Sequence, residues 1–170
     1  MAGNYERELK GILHGEKEHI GKFIKTCTPE EKDNYMSVLE QPFIVIRAAG
    51  SLGVDLVAVR YDVAFPIEVK ASQSKVLHFT KRKMLSEQAE ELREECRRAH
   101  LIPIYAFRLK RQRGDAWRIF TMDMDIEKGQ RLKILHRRLP KIERTAQGNE
   151  VMRWDNGMPL NEFLAYLCRE

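Results

Sequence analysis

The spacing of hydrophobic residues predicts several amphipathic helices along the chain. A helix is predicted over 4–13, and hydrophobic side chains recur at helical intervals as far as residue 24 on the face that also carries Glu6, whereas Glu8 points away from that face. Thr28 followed by Pro29 is typical of a helix start, and we expect this second helix to run to about residue 40. Further helices with one hydrophobic face are predicted over 80–100 and 159–168.

The remaining hydrophobic segments are rich in β-branched and aromatic residues and are bounded by turn residues. They predict strands over 43–49, 54–61, 65–71, 102–109 and 117–122, and 132–136 and 151–154 are candidates for further short strands or a hairpin. Helices, three strands, a long helix and two more strands are typical of an α/β layered domain with a mixed sheet. With 170 residues and 43% hydrophobic content, the chain is long enough for one domain with a sizeable core.

The positive charge of the chain is concentrated in one part of it. The net charge is +5, and residues 101–144 contain twelve Lys and Arg against five acidic residues. Such a concentration indicates a polyanionic partner, although a solvated basic face has the same composition. Within this segment, Lys110–Asp115 forms a basic loop between two predicted strands.

Other functional classes find little support in the sequence. No hydrophobic run approaches the roughly 20 residues that span a bilayer, and the N-terminus lacks a signal-peptide pattern. We therefore expect a cytoplasmic protein with no membrane partner. The three cysteines are far apart and predict neither a disulfide framework nor a zinc site. Gly50, Ser51 and Gly53 do not form a phosphate-binding P-loop, and no organic cofactor is expected.

Two carboxylates and one ammonium group are predicted to meet on neighbouring strands. Glu68 and Lys70 are two residues apart, so both side chains leave the same face of their strand. A turn near residues 62–63 would place Asp55 opposite residues 69–70, adjacent or diagonal to Glu68. Burying unpaired carboxylates among hydrophobic residues is costly, which favours a bound cation. Oxygen ligands without nearby His or Cys are typical of Mg²⁺ or Mn²⁺.

A site of this kind suits a metal-dependent phosphodiesterase. The cation would neutralise a phosphate oxygen and lower the pKa of a bound water. Lys70 would orient that water or meet the charge that develops on the phosphate. The other interpretation of the short motif is a cross-strand salt bridge at the end of a hairpin.

An ordered series of motifs favours the nuclease interpretation. The series is YEREL at 5–9, FIVIRAAGS at 43–51, VDLVA at 54–58 and IEVK at 67–70. It resembles the archaeal Holliday junction resolvases, a branch of the PD-(D/E)xK nuclease superfamily, and the later helices and strands continue the resemblance. The resemblance implies a restriction-endonuclease-like mixed β-sheet flanked by helices. It also implies a homodimer and Mg²⁺-dependent cleavage of four-way DNA junctions in recombination and repair.

The resemblance assigns roles to individual residues of the motifs. Asp55 and Glu68 would bind the metal, Glu6 would be the helix-borne acid of the same metal site, and Lys70 would be the catalytic lysine. Ser51 would be a catalytic-loop residue that contacts the scissile phosphate.

Several cations are candidates for binding DNA. By resemblance, Arg47 would contact the DNA backbone near the site, as would Ser51. Four cations flank the site and could either hold phosphates or be solvated at a helix start: Lys75, Lys81, Arg82 and Lys83. The basic loop adds Lys110, Arg111 and Arg113.

The segment 14–42 departs from the family pattern because it adds a helix before the first strand. We expect one nuclease domain over 1–170, with a helical insertion at about 14–42. Two alternatives remain: a restriction-type or repair endonuclease of the same fold that acts on duplex or flap DNA, and a non-catalytic DNA-binding module. The complete set of Glu6, Asp55, Glu68 and Lys70 argues against the last, because carboxylates without a metal repel phosphate.

Overall fold

The central feature of the fold is a mixed sheet in which one pair of strands is parallel. The computed structural model describes residues 2–49, 53–79 and 83–169. Within this part, six strands pair in the order β1-β2-β3-β5-β6-β9. Their bounds are β1 Ile44–Arg47, β2 Leu56–Arg60, β3 Val63–Ser72, β5 Ile104–Leu109, β6 Trp117–Phe120 and β9 Met158–Pro159. Only the β3–β5 pair is parallel among them, and α4 (Lys83–Ala99) lies in the connection between these two strands.

Helices cover both faces of this sheet. On one face, α1 (Ala2–Leu13) and α6 (Leu160–Arg169) bury Leu9, Ile12 and Phe163 in the larger core. On the other face, α4 buries Leu92 and Cys96 against the aromatic residues of β5 and β6. The structure therefore confirms the expected α/β fold, a mixed sheet between helices. None of the helices in the described part of the chain combines the length and the hydrophobicity needed to cross a membrane.

A second, smaller sheet extends the structure beside α4. Its order is β4-β8-β7, with β4 at Val76–His78, β7 at Glu143–Arg144 and β8 at Glu150–Arg153. Strand β8 confirms the short strand predicted over 151–154. The strand predicted over 132–136 is wrong, because this segment lies in α5, Gln130–Arg138. Leu132, Leu135 and Leu139 recur at helical spacing and pack against the larger core, which explains the helix.

The segment 14–42 is helical and is packed into the core. It contains α2 (Lys17–Phe23) and α3 (Pro29–Met36), and Thr28 caps α3 with a capping box, as its sequence predicts. The Tyr35 hydroxyl donates to Asp115 Oδ1 at 2.6 Å. Asp115 Oδ2 also accepts from the backbone and side-chain amides of Asn161, at 2.9 and 2.7 Å. The last residue of the basic loop is thus a buried anchor for this segment. That the segment is an insertion into one domain stays a prediction.

Candidate functional site

The candidate site lies where β2 begins and where its partner β3 continues past it. Leu56 pairs with Ile67, and the Asp55 amide donates to the Ile67 carbonyl at 3.0 Å. Asp55 therefore lies opposite Glu68, one position earlier than the expected residues 69–70. The difference arises because the turn occupies residues 61–62, since Arg60 still pairs with Val63.

The predicted carboxylates and ammonium group share one face of the sheet. Lys70 Nζ lies 2.5 Å from Glu68 Oε1, and the two side chains are only 19% and 14% exposed. The Asp55 side chain is held in place, because the Val69 amide donates to its Oδ2 at 2.7 Å. The structure thus brings Asp55, Glu68 and Lys70 together as the strand pattern predicts.

The electrostatics of the two carboxylates are dominated by burial. Burial raises the pKa of Glu68 to about 7; Lys70 opposes this change, and the Asp55 carboxylate adds to it. Burial also raises the pKa of Asp55; the hydrogen bond from Val69 opposes this, and the negative charge of Glu6 reinforces it. A cation between the two carboxylates would remove this penalty. Two hard oxygen donors, partly buried and next to each other, fit Mg²⁺ or Mn²⁺.

Glu6 is paired with Arg47 rather than with Asp55, Glu68 or Lys70. Its Oε2 accepts a hydrogen bond from Arg47 Nη2 at 2.7 Å, which links α1 to the edge strand β1. Within the described residues, no group of three or more His, Cys, Asp and Glu side chains is placed to hold a metal ion. Arg47, expected to contact the DNA backbone, is half exposed and paired with Glu6 in this arrangement.

Of the other candidate DNA-binding residues, only some lie in the part of the chain that the structure describes. Lys75 lies at the surface, with Nζ 3.0 Å from Asp155 Oδ1 and 5.5 Å from the centroid of the Trp154 ring. Ser51, Lys81 and Arg82 lie outside the described residues, as does the side chain of Lys83, the first residue of α4.

The basic loop has cations of two kinds. Lys110 is half-buried and lies 5.9 Å from the centroid of the Tyr5 ring. Arg111 and Arg113 are exposed, and Arg111 adopts a φ of +62°. In the described part of the chain, none of these three cations has an ion pair within 4.0 Å. They are therefore available to a polyanion.

Sequence reasoning missed three residues that line the site. A small cavity of about 10 Å³ beside Glu68 and Lys70 is also bordered by Gly53, Gln88 and Tyr105. Burial, followed by the charge of Glu68, raises the pKa of Tyr105 well above its usual range. Gly53 has a φ of +69°, and a Cβ there would lie 3.3 Å from Gln88 Cβ. Gly53 could have been found from the sequence, because it lies two residues before Asp55. Gln88 and Tyr105 reach the site only through the tertiary structure.

Glu8 has a different environment from the one that the helical pattern predicts. Glu8 points away from the face of α1 that carries Glu6, as predicted. Its Oε1, however, accepts hydrogen bonds from Trp117 Nε1 and from Arg108 Nε, both at 2.8 Å. The Arg108 guanidinium also lies 5.6 Å from the centroid of the Tyr5 ring. These contacts fix α1, the helix that carries Glu6, to β5 and β6. Trp117 is fully buried and belongs to the core.

Part of the sheet face that carries the site is not covered by a helix. Ile44 and Ile46 on β1 are 65% and 55% exposed, and Val59 opposite Ile44 is 38% exposed. The strand registers place these side chains on the same face as Asp55 and Glu68. We call the three hydrophobic residues the apolar face. Contiguous exposed hydrophobic residues of this kind mark interaction surfaces.

Comparison with known proteins assigns most of the chain to one family. A family model described as archaeal Holliday junction resolvase (Hjc) matches residues 30–167. A similar solved structure is that of Hjc from Archaeoglobus fulgidus, described as a Holliday junction resolvase from an archaeal hyperthermophile. It is 20% identical, with 88% of this chain and 92% of that chain covered and a TM-score of 0.49. The comparison with curated proteins gave no match.

Proposed function

Since the chain belongs to the archaeal Holliday junction resolvase family, we propose that it cleaves four-way DNA junctions with a divalent cation, Mg²⁺ or Mn²⁺. The observation that carries this proposal is the pair of buried carboxylates, Asp55 and Glu68, with the Lys70 ammonium 2.5 Å from Glu68. The raised pKa values of both acids support a cation as their natural partner.

Each of the three residues has a distinct part in the proposed reaction. Asp55 and Glu68 hold the cation, which when bound neutralises the scissile phosphate and lowers the pKa of a water molecule. The Val69 amide keeps Asp55 oriented toward the site. Lys70 is now paired with Glu68, and it would turn its ammonium group to the phosphate or the attacking water when Glu68 holds the cation. Glu6 would complete the site only after exchanging its Arg47 partner, and Arg47 would then be free for the DNA backbone.

We further propose that the protein acts as a homodimer in recombination and repair, in the cytoplasm, where it would meet chromosomal DNA. The apolar face supports dimerisation, because its exposed isoleucines would be covered by a second copy. A two-fold dimer offers two sites at a fixed separation, which matches the near-two-fold symmetry of a four-way junction.

Sedimentation should therefore report a dimer without DNA. Ile46→Glu should yield a folded monomer, and a monomeric wild-type protein would contradict the proposal.

Site variants separate cleavage from binding. Asp55→Asn, Glu68→Gln and Lys70→Ala should each abolish cleavage of a labelled four-way junction in Mg²⁺. The carboxylate variants should keep or improve junction binding, because they lose repulsion toward phosphate. Glu162→Gln, an exposed carboxylate in the first turn of α6, is the matched control and should cleave normally. Normal turnover by Glu68→Gln would refute the assignment, and cleavage of linear duplex at one defined sequence would favour the restriction-type alternative.

The basic loop is proposed to track the DNA backbone, together with Ser51, Lys75, Lys81, Arg82 and Lys83 near the site. Junction affinity should then fall steeply as salt rises, since each neutralised phosphate releases counterions. Reversing the charges of Lys110, Arg111 and Arg113 together should reduce the slope of log affinity against log salt by about 0.9 for each phosphate that is no longer neutralised. An unchanged slope would mean that the loop does not contact DNA phosphates.

A further inference from the structure

Tyr105 faces Glu68 from the neighbouring strand. In the parallel β3–β5 pair, Glu68 is directly opposite Tyr105, so both side chains leave the same face of the sheet. Tyr105 is 1% exposed, and its ring meets the Phe79 ring edge-on, with centroids 5.8 Å apart. The phenol is therefore held in one orientation beside a carboxylate that we propose as a metal ligand.

The hydroxyl group distinguishes Tyr105 from an ordinary core aromatic residue. Phenylalanine would fill the same space, whereas a buried hydroxyl is costly unless it is hydrogen-bonded. In the part of the chain that the structure describes, no residue forms a hydrogen bond with this hydroxyl, and its oxygen is not completely shielded from water. Tyr105 borders the 10 Å³ cavity together with Glu68 and Lys70. That volume is about the size needed for one water molecule.

We propose that Tyr105 is a positioning residue of the metal centre, whose hydroxyl donates a hydrogen bond to the Glu68 carboxylate through one water. The hydrogen bond fixes the carboxylate orientation in which Glu68 meets the cation. It also gives Glu68 a neutral donor when Lys70 turns toward the phosphate. This inference rests on the proposed function.

Tyr105→Phe tests the hydroxyl alone, because it keeps the ring and its contact with Phe79. Mn²⁺ affinity is measured by titration calorimetry on the full chain without DNA, and junction cleavage is measured as a function of Mn²⁺ concentration. Loss of a hydrogen bond to a metal ligand lowers metal affinity or activity about 10- to 100-fold. We expect a loss in that range in Mn²⁺ affinity, and cleavage that recovers toward the wild-type rate as Mn²⁺ is raised.

A matched control and a double variant make the test specific. Tyr35→Phe removes a buried hydroxyl that donates to Asp115, away from the site, and should leave Mn²⁺ affinity unchanged while lowering the melting temperature. In a Glu68→Gln background, Tyr105→Phe should cause no further loss of Mn²⁺ affinity, since the carboxylate that it positions is gone.

The outcomes separate this inference from the function on which it rests. Wild-type Mn²⁺ affinity in Tyr105→Phe, beside a wild-type protein that binds Mn²⁺ and cleaves junctions, would overturn the positioning role and leave the nuclease proposal standing. An equal loss in the Tyr35→Phe control would also overturn it, because the effect would then follow stability. A wild-type protein that neither binds Mn²⁺ nor cleaves junctions would overturn both.

Discussion

Replacing Glu68 with Gln should stabilise the metal-free protein at pH 8. The reason is that the folded chain holds Glu68 with a pKa of about 7, above its ordinary value of 4.5. Between these two pH values the folded protein binds more protons than the unfolded chain, so stability falls as pH rises. The loss is absent below about pH 4.5 and complete above about pH 7. Gln resembles the protonated acid and avoids the loss.

The size of the effect follows from the difference between the two pKa values. One pKa unit corresponds to 1.36 kcal/mol, so a rise from 4.5 to about 7 amounts to about 3 kcal/mol. The Glu68 side chain is 14% exposed, and solvent therefore screens little of this energy. For a chain of this size, each kcal/mol changes the melting temperature by about 2–4 °C. The variant should melt about 6–12 °C above the wild type at pH 8 in EDTA.

Thermal melting followed by circular dichroism measures this difference at pH 5, 6, 7 and 8. The difference in melting temperature between Glu68→Gln and the wild type should decrease steadily as pH falls toward 5. Mg²⁺ at a hundredfold excess over Kd should raise the free energy of unfolding of the wild type by about 2.7 kcal/mol, and with it the melting temperature, but should not stabilise the variant. A variant that melts at or below the wild type at pH 8, or a gap that does not depend on pH, would refute the reasoning.

Three further substitutions test contacts that stabilise the fold or the site. Asp115→Ala should lower the free energy of unfolding by about 3–5 kcal/mol in urea titrations, because several buried donors lose their acceptor; Asp115→Asn should cost less. Gly53→Ala should cost about 1–2 kcal/mol, since φ is +69° and the new Cβ would press on Gln88, and it should also slow junction cleavage. Arg60→Lys should cost about 2–4 kcal/mol, because lysine cannot reproduce the buried two-bond pairing with Asp62; a loss below 0.5 kcal/mol would contradict this.

The parts of the site that could be predicted from the sequence are local in the chain. Asp55, Glu68 and Lys70 belong to one hairpin, so strand alternation and one turn are enough to bring them together. The turn lies one residue earlier than predicted, and Asp55 is therefore opposite Glu68 rather than residues 69–70. The fold class was likewise predictable, because the helices and strands are amphipathic with clear periods.

The parts that could not be predicted depend on distant pairing. Tyr105 meets Glu68 only through the register of the parallel strands, which no local pattern encodes. Glu8 finds its partner in Trp117, 109 residues away, although its helical position suggested a residue facing away from the core. Asp115 lies in a segment of basic composition, yet it is buried because donors from two distant helices converge on it.

The hydrogen bond between Trp117 and Glu8 makes the docking of α1 visible in intrinsic fluorescence. The chain contains two tryptophans, and both indole N–H groups are bonded to oxygen, Trp117 to Glu8 and Trp154 to the Ala116 carbonyl. Displacement of α1 would break the first bond and expose that indole to water, which shifts its emission to longer wavelength. Trp154 would supply a constant background. Movement of the helix that carries Glu6 can therefore be followed in the unlabelled protein as a cation or a junction is added.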